Sequence, residues 1–220
     1  MGNISKNAYG MTLLCPIRQD DAAHSYSNLT RDCLETLPLH DNSPMAKVPN
    51  TYLCRLYVLD DVFYQGAPAN EEHLKSKYLV FCTNFHGDRD TYLRGMWNAV
   101  QEDVKRIWGY CIAFDKVKTA GDFVAYAKQC QVTNSLFFNG SDGGPLDEQL
   151  KALYLRQEFT RFAFDNFGKS AVELQQAFRE FVAIVQPDNL QTPTWAPGMT
   201  QETQQLQYSF HTAARKEEYA

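Results

Sequence analysis

Tyr78-Leu79-Val80-Phe81-Cys82-Thr83-Asn84-Phe85, preceded by Thr51-Tyr52-Leu53-Cys54-Arg55-Leu56-Tyr57-Val58-Leu59, is the pair of runs on which the fold turns. Both are rich in β-branched and aromatic residues, which suit a pleated surface, and both are bounded by turn formers: Pro44 and Pro49 before the first, Gly66 to Asn70 between them, His86-Gly87-Asp88 after the second. They read as strands. Apolar side chains at odd and even positions of 51–59 predict a strand covered over most of both faces.

Working outward, Met11 to Ile17 is a short apolar run after Tyr9-Gly10 and reads as an earlier strand. Asp20 and Asp21 offer caps for a helix whose face is Ala23, Tyr26, Thr30, Cys33, Leu34 and Leu37, stopped by Pro38. Downstream, Asp88 or Asp90 caps a long helix with Leu93, Met96, Val100, Val104 and Ile107 on one face. A shorter helix starting near Thr119 carries Phe123, Val124, Ala127 and Cys130, and Ser135-Leu136-Phe137-Phe138 reads as a fourth strand. A ring-rich helix runs from Pro145 to about Phe167, and Ser170 with Glu173 forms a capping box opening a last helix that ends before Pro187. The predicted order is that of an α+β, ferredoxin-like antiparallel sheet packed on helices, with a C-terminal helical extension. One domain is expected over residues 1–187 and a polar tail over 188–220.

The composition bounds the function classes. With 26 acidic against 21 basic side chains the formal charge is −5, and no basic stripe marks a nucleic-acid surface. No apolar run has membrane-spanning length, and Met1 to Lys6 lacks the apolar core of a signal peptide, so a cytoplasmic protein is expected. The six cysteines show no metal spacing and read as core thiols of a reducing compartment. No local pattern specifies a zinc or iron site, a P-loop or a Cys–His nucleophile. A heme held by one axial histidine stays open, because a single ligand needs no spacing pattern.

Two sets of residues carry candidate chemistry. A guanidinium inside an apolar strand has to be solvated, paired or aimed at an anion, so Arg55, with Tyr57 on the same strand and Asn84 on the next, forms a candidate ligand-binding set. The His86-Gly87-Asp88-Arg89-Asp90 corner joins a strand end to a helix start, and His86 with Asp88 is the candidate catalytic pair; a plain capping turn accounts for the aspartates equally well. Rings at Tyr154, Phe159, Phe162, Phe164 and Phe167 occupy several faces of one helix, more than a single core stripe needs.

On Cys54 to Asp61, Leu79 to Asp88 and Ile107 to Cys111, the chain resembles a group of largely uncharacterised bacterial proteins similar to the dimeric α+β-barrel superfamily. That superfamily includes dye-decolorizing heme peroxidases, chlorite dismutases and cofactor-free monooxygenases. The peroxidases' Gly-x-x-Asp-Gly heme signature is absent, Asn84 to Asp88 being the nearest stretch. The resemblance implies a homodimer and an oxidoreductase-like protein that encloses an apolar or aromatic ligand between sheet and helices. The residues also admit a non-catalytic interaction or sensor module. A buried cavity reached by Arg55 favours the first reading; a collapsed sheet–helix interface with an exposed aromatic stripe favours the second.

Overall fold

The computed structural model describes residues 2–39, 42–64, 66–68, 70–141 and 143–195. The tail expected from Asp188 therefore lies outside the described residues from 196 onward. The chain divides into two compact units, Met1–Pro38 with Lys47–Leu146, and Leu39–Ala46 with Asp147–Ala220.

The first unit is a mixed α+β body. Its strands are β1 (Ile4–Ser5), β2 (Ala8–Pro16), β3 (Thr51–Leu59), β4 (Tyr78–His86) and β5 (Gln131–Val132), and its helices α1 (Tyr26–Glu35), α2 (Arg89–Trp108) and α3 (Ala120–Cys130). The five strands form one sheet in the order β1-β2-β4-β3, with β5 also paired to β2, and every pairing is antiparallel. Leu13 stands opposite Phe81, and Phe81 opposite Leu56, which aligns one apolar row across three strands. Against that face α1 packs on β3, while α2 and α3 pack on β2.

The interface is filled with rings. Trp108 meets Phe81 edge-on at 5.4 Å and Phe123 at 5.6 Å, and all three are fully buried. Helix α2 buries Leu93, Met96, Val100, Val104 and Ile107, the face read from the sequence, and bends at Val100, whose φ −140° and ψ 44° leave the helical region. A capping box between Thr119 and Asp122 starts α3.

Three elements depart from their sequence-based expectation. Helix α1 begins at Tyr26, five residues beyond Asp21. Asp21 Oδ1 accepts from the loop N–H groups of Ala23 and His24, each at 2.8 Å, whereas Asp20 Oδ1 accepts at 2.8 Å from the N–H of Tyr26, the first helical residue. Strand β3 is covered on one face only, since Leu53, Arg55 and Tyr57 are exposed while Cys54, Leu56 and Val58 turn toward the helices. The fourth strand expected at Ser135–Phe138 is absent; the chain pairs with β2 earlier, at Gln131–Val132, directly after α3. At Gly10 the edge of β2 is met by side-chain amides, Asn3 Nδ2 and Asn134 Nδ2 donating to Gly10 O at 2.8 and 3.1 Å. The Phe137 ring lies over Gly10 so closely that a Cβ there would come within 2.6 Å of it.

The second unit contains α4 (Leu146–Asp165) and α5 (Ala171–Val185). The expected Ser170–Glu173 capping box is formed. Phe159, Phe162, Phe178 and Phe181 touch along the hairpin seam, with Phe162 and Phe181 at 4.9 Å. Buried Lys151 donates to Val185 O at 2.6 Å and Pro193 O at 2.7 Å, tying the hairpin to the segment after α5. No described helix is long and apolar enough to cross a membrane.

Candidate functional site

The corner between β4 and α2 is built by a strand that ends on His86, a glycine that turns the chain, and an aspartate that caps the helix. Gly87 has φ +93°, a conformation in which a Cβ is strained although nothing crowds it. Its N–H donates to Asn7 O at 2.8 Å, so the start of β2 and the end of β4 are held together. Asp88 accepts the Thr91 N–H at 2.9 Å; the hydroxyl and N–H of Thr91 hold its carboxyl below the ordinary aspartate range. That carboxylate is committed to the cap.

Around this corner lies a cleft of about 570 Å³, lined by Lys6, Tyr9, His86, Asp88, Arg89 and Asp90 together with Ile4, Asn7, Ala8 and Gly87. Its size falls in the range of small-molecule sites. Half-buried His86 has Nδ1 2.9 Å from Gly143 O. A carbonyl only accepts, so Nδ1 carries the hydrogen and Nε2 is the acceptor of the neutral ring.

One wall is a polar chain. Gln131 Nε2 donates to Tyr9 Oη at 2.8 Å, Arg89 Nη1 donates to Gln131 Oε1 at 2.7 Å, and Arg89 Nε donates to Asp90 Oδ1 at 3.0 Å. Lys128 Nζ donates to Asp90 Oδ2 at 2.6 Å. Lys128 and then Arg89 hold the Asp90 carboxyl below its ordinary range. Both acidic groups of the cleft are thus already engaged, while Lys6 and Arg89 bring positive charge to it.

Of the residues singled out from sequence, His86 and Asp88 come together in this cleft. Arg55, Tyr57 and Asn84 do not line it. They stand on the helix-free face of the sheet, Arg55 opposite Cys82, Tyr57 opposite Val80 and Asn84 opposite Leu53 and Gly10. Alternation along β4 puts Asn84 on the same face as His86. Arg55 is exposed to solvent, and the space between sheet and helices is occupied by Phe81, Trp108 and Phe123. Lys6, Tyr9 and Gln131 escaped the sequence reading, because Tyr9 and Gln131 reach the corner through strand register and Lys6 through the turn between β1 and β2, not through a local motif.

A histidine whose Nδ1–H is held by a carbonyl is the usual form of an axial heme ligand. The walls do not suit the macrocycle, however: the apolar side chains lining the cleft are Ile4 and Ala8 with the ring of Tyr9, and the rest are polar or glycine. Among the described residues no group of three or more His, Cys, Asp or Glu is arranged to hold a metal ion. Against protein-family models, curated proteins and solved structures alike, the chain finds no match.

Proposed function

We propose that this chain is a small-molecule-binding protein whose site is the cleft at the β4–α2 corner, with a small polar, anionic compound as its ligand. The observation that carries the reading is a pocket-sized cleft containing a histidine of fixed tautomer, Lys6 and Arg89, in which the Asp88 and Asp90 carboxylates are already engaged. His86 Nε2 is the group available for proton exchange with a bound ligand, and Arg89, oriented by Gln131 and Asp90, supplies the counter-charge. The apolar ligand expected between sheet and helices would have to displace buried rings, which moves the ligand reading to the edge of the sheet.

The strand order β5-β2-β4-β3, with helical connections from β2 to β3 and from β4 to β5, supports a ferredoxin-like sandwich and so the kinship with α+β barrels. On that reading the helix-free face, where Leu53 and Tyr57 are exposed, is where a second copy docks to make a homodimer. A second function, the non-catalytic interaction module, is favoured by the filled sheet–helix interface and by exposed Phe164 and Phe167 on the hairpin.

The two functions separate in one titration. The histidine ring resonances of the full chain are followed by nuclear magnetic resonance as inorganic phosphate or a short dicarboxylate is added. Ligand binding predicts a saturable shift of the His86 signal, identified by its loss in His86→Gln, and an affinity at least about tenfold weaker in Arg89→Ala. An unmoved His86 signal, with no small molecule retained in native mass spectra, removes the ligand reading and leaves the interaction module.

A further inference from the structure

The polar wall of the cleft orients more than one guanidinium. Gln131 caps the C-terminus of α3 and stands opposite Leu13 in the β2–β5 ladder, so by alternation it lies on the same face of the sheet as Tyr9. Its carboxamide joins two cleft-lining groups without lining the cleft itself: Nε2 is 2.8 Å from Tyr9 Oη, and Oε1 is 2.7 Å from Arg89 Nη1. Arginine has no acceptor, so the amide oxygen has to face Arg89 and the amide nitrogen has to face Tyr9. The direction of each bond follows. Tyr9 Oη accepts from Gln131, and its own hydrogen is left over.

That hydrogen has no acceptor among the described residues, and neither has Arg89 Nη2, since Nε and Nη1 of the same guanidinium go to Asp90 and Gln131. Both side chains are half-buried and held in place. The Tyr9 ring stacks on buried Phe85 at 5.3 Å, and Phe85 stacks in turn on Tyr92 at 3.7 Å. Two preset donors bridged by one amide are the hydrogen-bonding complement of the two oxygens of a carboxylate. Charge points the same way. Lys6, Arg89 and Lys128, the last bonded to Asp90, are three cations against the carboxylates of Asp88 and Asp90, an excess of one. A singly charged anion balances that excess, and a doubly charged phosphoryl group overshoots it.

On the reading of this cleft as a ligand site, we propose that its ligand is a monocarboxylate, gripped by the Tyr9 hydroxyl and Arg89 Nη2, and that Gln131 is the positioning residue that turns both donors toward it. The polarity of the amide selects the anion. A glutamate at position 131 would accept at both oxygens, so the Tyr9 hydrogen would turn away from the cleft and Arg89 would be neutralised, with the shape of the wall kept.

The test follows the backbone amide signals of Arg89 and Asp90 in the full chain by nuclear magnetic resonance. Propionate, and separately inorganic phosphate, is added in mildly alkaline buffer, where phosphate is chiefly the dianion. The expected result is saturable binding of propionate, at least as tight as that of phosphate. It should weaken at least about fivefold in Tyr9→Phe, which keeps the stacked ring, and at least about tenfold in Gln131→Glu. Gln131→Ala should bind more tightly than Gln131→Glu; a residue that merely braced the wall would give the opposite order, because glutamate keeps the bond to Arg89 and alanine loses both. Adding Tyr9→Phe to Gln131→Glu should cost nothing more, the hydroxyl hydrogen being already withdrawn. Wild-type affinity in both single variants, or phosphate binding at least about tenfold tighter than propionate, overturns the proposal and leaves the cleft a ligand site. Signals that move with neither anion overturn the cleft reading and the proposal together.

Discussion

The rings of the sheet–helix interface and the rings of the α4–α5 hairpin touch at similar distances, 5.4 Å for Phe81 with Trp108 and 5.8 Å for Phe162 with Phe178, yet their environments differ. Phe81, Trp108 and Phe123 are enclosed by a sheet on one side and helices on the other, and none reaches solvent. In the hairpin Phe159 is 53% exposed and Phe178 is 46% exposed, although each touches other rings of the seam. Ring contact alone therefore does not make a core. What stabilises is the layer that removes the ring from water, at roughly 25 cal/mol per Å² of apolar surface.

The contrast breaks first at Trp108. Trp108→Ala should cost about 3–5 kcal/mol in urea unfolding, through lost burial and the void left behind; a cost below about 1 kcal/mol would mean that the interface is as loose as the hairpin. Next comes Lys151, which joins the hairpin to the segment after α5 by polar bonds. Lys151→Met leaves the Val185 and Pro193 carbonyls without that donor and should cost about 2 kcal/mol, read as faster hydrogen exchange in α4 and α5.

That position also carries a pH signature. Burial lowers the Lys151 pKa from its ordinary 10.5, so between the lowered value and 10.5 the unfolded chain holds the proton more tightly. The stability difference between wild type and Lys151→Met should therefore shift toward the wild type as pH rises through that window, and level off above it. The smallest effect is expected at Phe167, 93% exposed, where Phe167→Ser should change stability by less than about 0.5 kcal/mol. If chromatography or sedimentation shows that the same change weakens self-association, the hairpin rings are an interface and the contrast becomes one between a core and a docking surface.

Much of the scaffold was legible in the sequence because local chemistry and tertiary demand agree there. The 3,4,4,3 spacing from Leu93 to Ile107 marks the buried face of α2, and the Ser170–Glu173 box marks the start of α5. Where they conflict, the reading failed. Asp21 looks like a helix cap but serves a loop, Asp20 reaches the first amide of α1 only from six residues away, and Ser135 to Phe138 has strand-like residues but no strand partner, since Asn3 and Asn134 side chains occupy the Gly10 carbonyl. The corner of His86 and Asp88 was visible as a motif. Its depth was not, because Tyr9 and Gln131 arrive from strands far away in the chain and Lys6 from the turn between β1 and β2.

Strand β3 ends the sheet, and among the described residues no strand is bonded to its outer edge. A nine-residue edge with apolar Leu53 and Tyr57 is a template on which a crowded or overproduced chain can stack strand on strand. Arg55 is the middle residue of that edge. If two copies paired there antiparallel and in full overlap, guanidinium would face guanidinium at the centre of the ladder, an arrangement that like charges oppose. Arg55, a candidate ligand contact in the sequence, thus also sets a positive charge at the centre of the edge on which copies of the chain would otherwise stack.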